Sequence, residues 1–146
     1  MNEIENYKQF ISLLAGQSAS VIRKYFRAKP EVESKKDLSP VTIADRKAEE
    51  VMRELIMKEY PSHGIIGEEF GNYNETAEYQ WVLDPIDGTK SFISGALSFG
   101  TLIALLKNGE PVIGAFNQPV LNEFLIGDGT SALLNGREVR TRQCTS

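Results

Sequence analysis

Trp81-Val82-Leu83-Asp84-Pro85-Ile86-Asp87-Gly88-Thr89-Lys90 carries the most information in this chain. Trp81 to Leu83 is an apolar run that reads as a buried strand, and it delivers Asp84 to its carboxyl end. Pro85 has no N–H to give and should stop the ladder there. Asp87 and Gly88 then turn the chain, and Gly88 to Phe92 can open a short helix. Two carboxylates and the free N–H groups of a helix start therefore lie within one turn of chain. Carboxylates attract a hard cation, and N–H groups at a helix start attract a phosphate. The stretch points to a metal and phosphate centre.

The acids upstream fit that expectation. Ile65 and Ile66, between Gly64 and Gly67, read as a short buried strand that ends in Glu68-Glu69. In layered α/β structures ligands bind at the carboxyl ends of strands, although a glutamate pair there also suits a solvated loop. If the two strands are neighbours, Glu68, Asp84 and Asp87 meet at one edge. Three anions that close need a cation, and an all-oxygen donor set favours Mg²⁺. The Ile86 carbonyl is a further oxygen donor between the aspartates. The two residues between Asp84 and Asp87 exclude the phospho-aspartate arrangement, Asp-x-Asp, since one residue of shift flips a strand side chain to the other face. No twelve-residue calcium loop is present.

Composition bounds the rest. The 146 residues suffice for one domain with a core. The net charge of −4 comes without any Lys/Arg-rich run, which argues against nucleic acid and anionic membrane as partners. No apolar run approaches the ~20 residues of a membrane span. Met1 to Glu5 is acidic and unlike a signal peptide. Cys144 is the only cysteine and His63 the only histidine. That excludes an internal disulfide and a thiolate or imidazole zinc site, and it suits the cytoplasm; Cys144, in a polar tail without a Gly-rich cradle or an Arg six residues on, argues against a cysteine-nucleophile phosphate site.

Around this centre the periodicities predict an α+β fold. Ile4, Tyr7, Ile11, Leu14, Ser18, Val21, Ile22 and Tyr25 recur at helical spacing from about Glu3 to Arg27. Ala28 to Pro40 is polar and reads as a loop or exposed hairpin; its Lys35-Lys36 pair is either solvated or close to the phosphate. A second helix opens in Ser39 to Asp45 and runs to Tyr60, with Thr42 as its N-cap. Asp45 then has two readings: an acid complementing the helix dipole in the first turn, or a catalytic group. Asn72 to Gln80 reads as loop. Phe99–Leu106, Val112–Asn117 and Glu123–Ile126 read as strands of an antiparallel meander. Asn108-Gly109 and Asn135-Gly136 mark hairpins.

Asp84-Pro85-Ile86-Asp87-Gly88-Thr89, with Gly67-Glu68-Glu69 and Val41-Thr42-Ile43-Ala44-Asp45 before it, resembles the inositol monophosphatase superfamily. The resemblance runs along essentially the whole chain. It implies a layered sugar-phosphatase-like fold, of which residues 1–146 would be the N-terminal α+β domain, two long helices on a mainly antiparallel sheet. It implies a Mg²⁺-dependent, Li⁺-sensitive phosphomonoesterase that uses two or three ions, acts on a small phosphorylated substrate and forms a homodimer. By residue, it implies Glu68, Asp84, Asp87 and the Ile86 carbonyl as metal ligands. Glu68 and Thr89, supported by Asp45, would activate water. Asp87 and the Gly88 and Thr89 N–H groups would hold the phosphate, with Lys36 on a closing loop. Ser39-Pro40-Val41-Thr42, Asp87 to Phe92, Phe99 to Leu105 and Gln118-Pro119-Val120 resemble the bacterial histidinol-phosphate phosphatases of this fold. Inositol 1-phosphate and 3′-phosphoadenosine 5′-phosphate are the alternative substrates. The family also has a C-terminal half that supplies another metal ligand. Without that half, the resemblance implies an incomplete site, a half-domain binding metal weakly, and an exposed apolar sheet face.

Overall fold

Helix α1 spans Glu3–Tyr25 and α2 spans Pro40–Glu59 in a computed structural model that describes residues 2–29 and 39–144. Asn2 caps α1 by accepting the Ile4 N–H. Glu3 and Glu5 at its start and Arg23 and Lys24 at its end complement the helix dipole. Both helices are amphipathic. Ile11, Leu14 and Ile22 of α1 and Ala44, Ala48, Met52 and Ile56 of α2 are completely buried. No helix among the described residues is long and apolar enough to cross a membrane.

The strands are β1 (Gly64–Gly67), β2 (Gly71–Tyr73), β3 (Tyr79–Asp87), β4 (Gly100–Lys107), β5 (Glu110–Gln118), β6 (Glu123–Gly127), β7 (Ala132–Leu134) and β8 (Arg137–Glu138), with a short α3 (Thr89–Ser94) between β3 and β4. They form one eight-stranded sheet in the order β2-β1-β3-β4-β5-β6-β7-β8. All pairs are antiparallel except β1 with β3. The expected α+β architecture is thus present. Asn108-Gly109 and Asn135-Gly136 both take left-handed backbone angles, as tight hairpin turns with a matching twist require.

Both helices cover one face of the sheet. Trp81, Leu83, Ile103, Leu105, Ile113 and Ile126 point into the core beneath Tyr7, Phe10, Ile11, Leu14, Met52 and Ile56. A second cluster, Ile22, Val41, Ala44, Ala48, Ile86, Phe92 and Phe99, lies under the far ends of the helices. Each fully buried aliphatic side chain of this kind contributes about 1.5–3 kcal/mol. The opposite face alternates with the core face and is open. Val82, Asp84, Leu102, Ala104, Phe116 and Leu125 line a hollow of about 740 Å³ there, so the expected apolar sheet face is present.

Four expectations are corrected. Pro85 does not end its strand: β3 continues to Asp87 with an irregularity between Asp84 and Asp87. Residues 72–80 are not all loop, because the glycine-led β2 pairs with β1 and β3 already begins at Tyr79; their polar side chains hid both from a hydrophobic reading. Ser39, not Thr42, is the cap of α2. Its hydroxyl accepts the Thr42 N–H at 3.3 Å, and Pro40 occupies the first turn, where its missing N–H costs nothing. Asp45 consequently lies in the second turn, beyond the N–H groups an acid would complement, and the dipole reading of that residue falls.

Candidate active site

Two parallel strands build the site. Gly67 of β1 pairs with Leu83 of β3, and the Glu68 N–H donates to the Leu83 carbonyl at 3.3 Å. Parallel neighbours end at the same edge, so Glu68 and Asp84 are delivered side by side. The strand order thus meets the condition on which the three-carboxylate expectation depended.

Asp87 joins them through a bulge. Asp84 pairs with Leu102 and Asp87 with Gly100, so three steps on β3 oppose two on β4. In a regular strand residues three apart face opposite sides. The extra residue cancels that flip and brings both aspartates to one face. The bulge is pinned from beneath: the buried Thr101 hydroxyl donates to the Pro85 carbonyl at 2.8 Å and lies 3.4 Å from the Ser18 hydroxyl of α1.

Gly88 then reverses the chain with φ 87° and ψ 43°. A side chain could not sit there, because a Cβ would approach the Ser98 carbonyl to 2.7 Å. No side chain caps the first turn of α3. The Thr89 hydroxyl donates to the Ile86 carbonyl at 3.3 Å, which engages one lone pair of an oxygen expected as a metal ligand.

The third element is α2, which carries Asp45 into the same region. Asp45 and Asp84 each keep a buried Oδ1 with no hydrogen-bond partner. Burial is the main force raising the Asp45 carboxyl from 3.8 to about 7, followed by the charges of Glu69, Glu68 and Asp84. Burial also leads in raising Asp84 to about 7, followed by a hydrogen bond with Glu68 and the charges of Glu68 and Asp87. The Ile86 N–H lowers both somewhat. Orphaned, crowded oxygens of this kind are the environment a hard cation neutralises, so the donor set fits such an ion.

The structure therefore brings together Asp45, Glu68, Asp84 and Asp87, with Thr89 at the adjoining helix start. Among the described residues no three His, Cys, Asp or Glu groups converge closely enough to form a metal cage; Glu68 and Asp87 are exposed, and Glu68 shares a hydrogen bond with Asp84. Lys36 lies outside the described residues. Two further acids, Glu69 and Glu49, lie close by. Glu69 is drawn into the cluster, its carboxyl raised by burial and by Glu49 and Glu68. Glu49, fully buried on α2, is one helical turn after Asp45. Its charge reads locally as part of a solvated helix face; the i, i+4 spacing from Asp45 is the signal that marks it.

Comparison with known proteins places the chain in a family. Residues 3–146 match the model of the inositol monophosphatase family. The chain belongs to that family. A chloroplastic bifunctional phosphatase of Arabidopsis thaliana is 52% identical over 145 residues, which is 97% of this chain and 42% of the relative. A histidinol-phosphatase of Chlorobaculum parvum is 40% identical over 87% of this chain and 50% of its own. The solved structure of an inositol monophosphatase from Zymomonas mobilis superposes with a TM-score of 0.87 at 43% identity, covering 99% of this chain and 56% of that one. The inositol monophosphatase-family chain described here thus spans about half the length of the relatives it matches.

Proposed function

We propose that this chain carries the metal and phosphate centre of a Mg²⁺-dependent phosphomonoesterase whose substrate is histidinol phosphate. The observation that supports it most is the pair of buried, partnerless oxygens on Asp45 and Asp84, beside Glu68 and Asp87 at one sheet edge. Glu68, Asp84, Asp87 and the Ile86 carbonyl would hold two or three ions. When bound, such ions acidify water and offset charge on a phosphoryl group. Glu68 and Thr89, supported by Asp45, would orient and activate the attacking water. Asp87 and the Gly88 and Thr89 N–H groups would fix the phosphate at the uncapped start of α3. Inhibition by Li⁺, a cytoplasmic location and a homodimer belong to the same reading.

Histidinol phosphate is favoured because three relatives named histidinol-phosphatase are 40–43% identical, against 31–35% for the plant inositol monophosphatases. Inositol 1-phosphate is the second reading, favoured by the Zymomonas structure. Phosphate release by the full-length protein, measured with Mg²⁺ on histidinol phosphate, inositol 1-phosphate and 3′-phosphoadenosine 5′-phosphate, decides between them. Asp84→Asn should lower turnover at least about 100-fold. Undiminished activity in excess chelator would overturn the metal-dependent reading altogether.

A further inference from the structure

Glu49 has no exposed surface, yet it is spent on backbone rather than on a ligand. Its Oε2 accepts the Glu69 N–H at 2.7 Å, and its Oε1 accepts the Phe70 N–H at 3.1 Å. Arg53, one turn further along α2, donates to the same Oε1 at 3.1 Å and to the Gly71 carbonyl at 2.8 Å. The turn after β1 is thus clamped to α2 at Glu69, Phe70 and Gly71. On its other side the Glu68 N–H is tied to β3. The Glu68 side chain is left exposed, and it shares a hydrogen bond with Asp84.

Space is reserved for this clamp. A Cβ on Gly67 would overlap the Glu49 carboxylate, lying 1.9 Å from Oε1 and 2.6 Å from Cδ. Gly67 is therefore the gap through which a helix side chain reaches the backbone beyond the strand. Packing alone does not call for this arrangement. A buried ion pair is offset by the cost of desolvating both charges, and an apolar pair of similar volume fills such a space at least as well. What the carboxylate adds is direction: two acceptors that set the orientation of two successive N–H groups.

We propose that Glu49 is a positioning residue, which through the Glu69 and Phe70 amides holds the backbone of Glu68 beside Asp84 so that both can bind one divalent cation. The inference rests on the metal-dependent reading above. One face of α2 then serves the site twice: Asp45 reaches the carboxylate cluster directly, and Glu49 acts one turn later through the chain that carries Glu68. Outer partners of metal ligands act in this way, and their loss commonly weakens metal binding 10–100-fold.

The test compares the full-length wild type with Glu49→Gln and Glu49→Asp. Calorimetric titration with Mg²⁺ and Mn²⁺ gives metal affinity, and steady-state kinetics give kcat and KM at several Mg²⁺ concentrations. Glu49→Gln keeps one acceptor but turns an NH₂ group toward an N–H or Arg53. It should weaken metal binding about 10-fold or more. Activity should recover at high Mg²⁺, and KM for the phosphate ester at saturating Mg²⁺ should be unchanged. Glu49→Asp retains the charge beside Arg53 but falls one methylene short of the amides; it should show a smaller loss of the same kind, and it carries the test if the glutamine variant does not fold. A folded variant with wild-type metal affinity overturns the positioning role and leaves the metal-dependent reading standing. A wild type that binds no divalent metal overturns both.

Discussion

Replacing Asp45 by asparagine should make the metal-free protein more stable while abolishing its activity. The Asp45 carboxyl is raised from 3.8 to about 7, chiefly by burial and then by Glu69, Glu68 and Asp84. A shift of about three units corresponds to about 4 kcal/mol of native-state destabilisation once the group is ionised. That is a ceiling, because water and side-chain motion relax a site at a sheet edge, and an asparagine NH₂ needs a partner of its own. A gain of about 1–3 kcal/mol at pH 8 is the expected net, several degrees in Tm for a chain of this size. The sign follows from proton uptake. Between about pH 4 and pH 7 the native state holds a proton that the unfolded chain has released, so wild-type stability falls as pH rises through that window. Asp45→Asn should flatten the fall, and the two proteins should converge near pH 4. Saturating Mg²⁺ should narrow the gap at pH 8, since binding stabilises the wild type by mass action. Denaturant unfolding at pH 4, 6 and 8, with chelator and with Mg²⁺, measures all of this. An Asp45→Asn protein less stable than wild type at pH 8 without metal would refute the idea that Asp45 is a strained, uncompensated charge.

Gly88→Ala should cost about 1–3 kcal/mol and lower activity more than stability alone explains, since φ is 87° and the new Cβ would meet the Ser98 carbonyl; thermal melts and phosphate release check it, and an unchanged protein would show that the turn relaxes freely. His63 is stacked between Tyr60 and Tyr79, and its Nδ1 accepts the Trp81 indole N–H at 3.1 Å. Burial lowers its pKa below 6.5. Stability from neutral His63 should therefore be intact above pH 6.5 and be lost as pH falls through the depressed value. The fluorescence of Trp81, the single tryptophan, should report that step, and its persistence in His63→Gln would assign it elsewhere.

The sequence alone was enough for much of the architecture. Helical spacing of apolar residues marked both long helices, and the two Asn-Gly pairs marked hairpins, because these signals are local: one face of a helix, or two residues with φ above zero. Glu68, Asp84 and Asp87 were also legible, since apolar runs ending in carboxylates are unusual enough to single out, whereas Asp45 was marked only by the resemblance of its motif. What stayed hidden depends on partners distant in the chain. The parallel pairing of β1 with β3, which makes Glu68 and Asp84 neighbours, is a property of strand order. Pro85 reads locally as a strand end, yet Thr101 from β4 and Ser18 from α1 hold a bulge there that turns Asp87 to the face of Asp84. Glu49 looked like one more charge on a wet helix face; only the approach of β1, through the gap at Gly67, makes it a buried acceptor for the Glu69 and Phe70 amides. The residue types capable of the chemistry were written in the chain. Which of them share a face, and which hold the others in place, was decided by tertiary packing, because carboxylates are brought together against their mutual repulsion only by a framework stable enough to bear it.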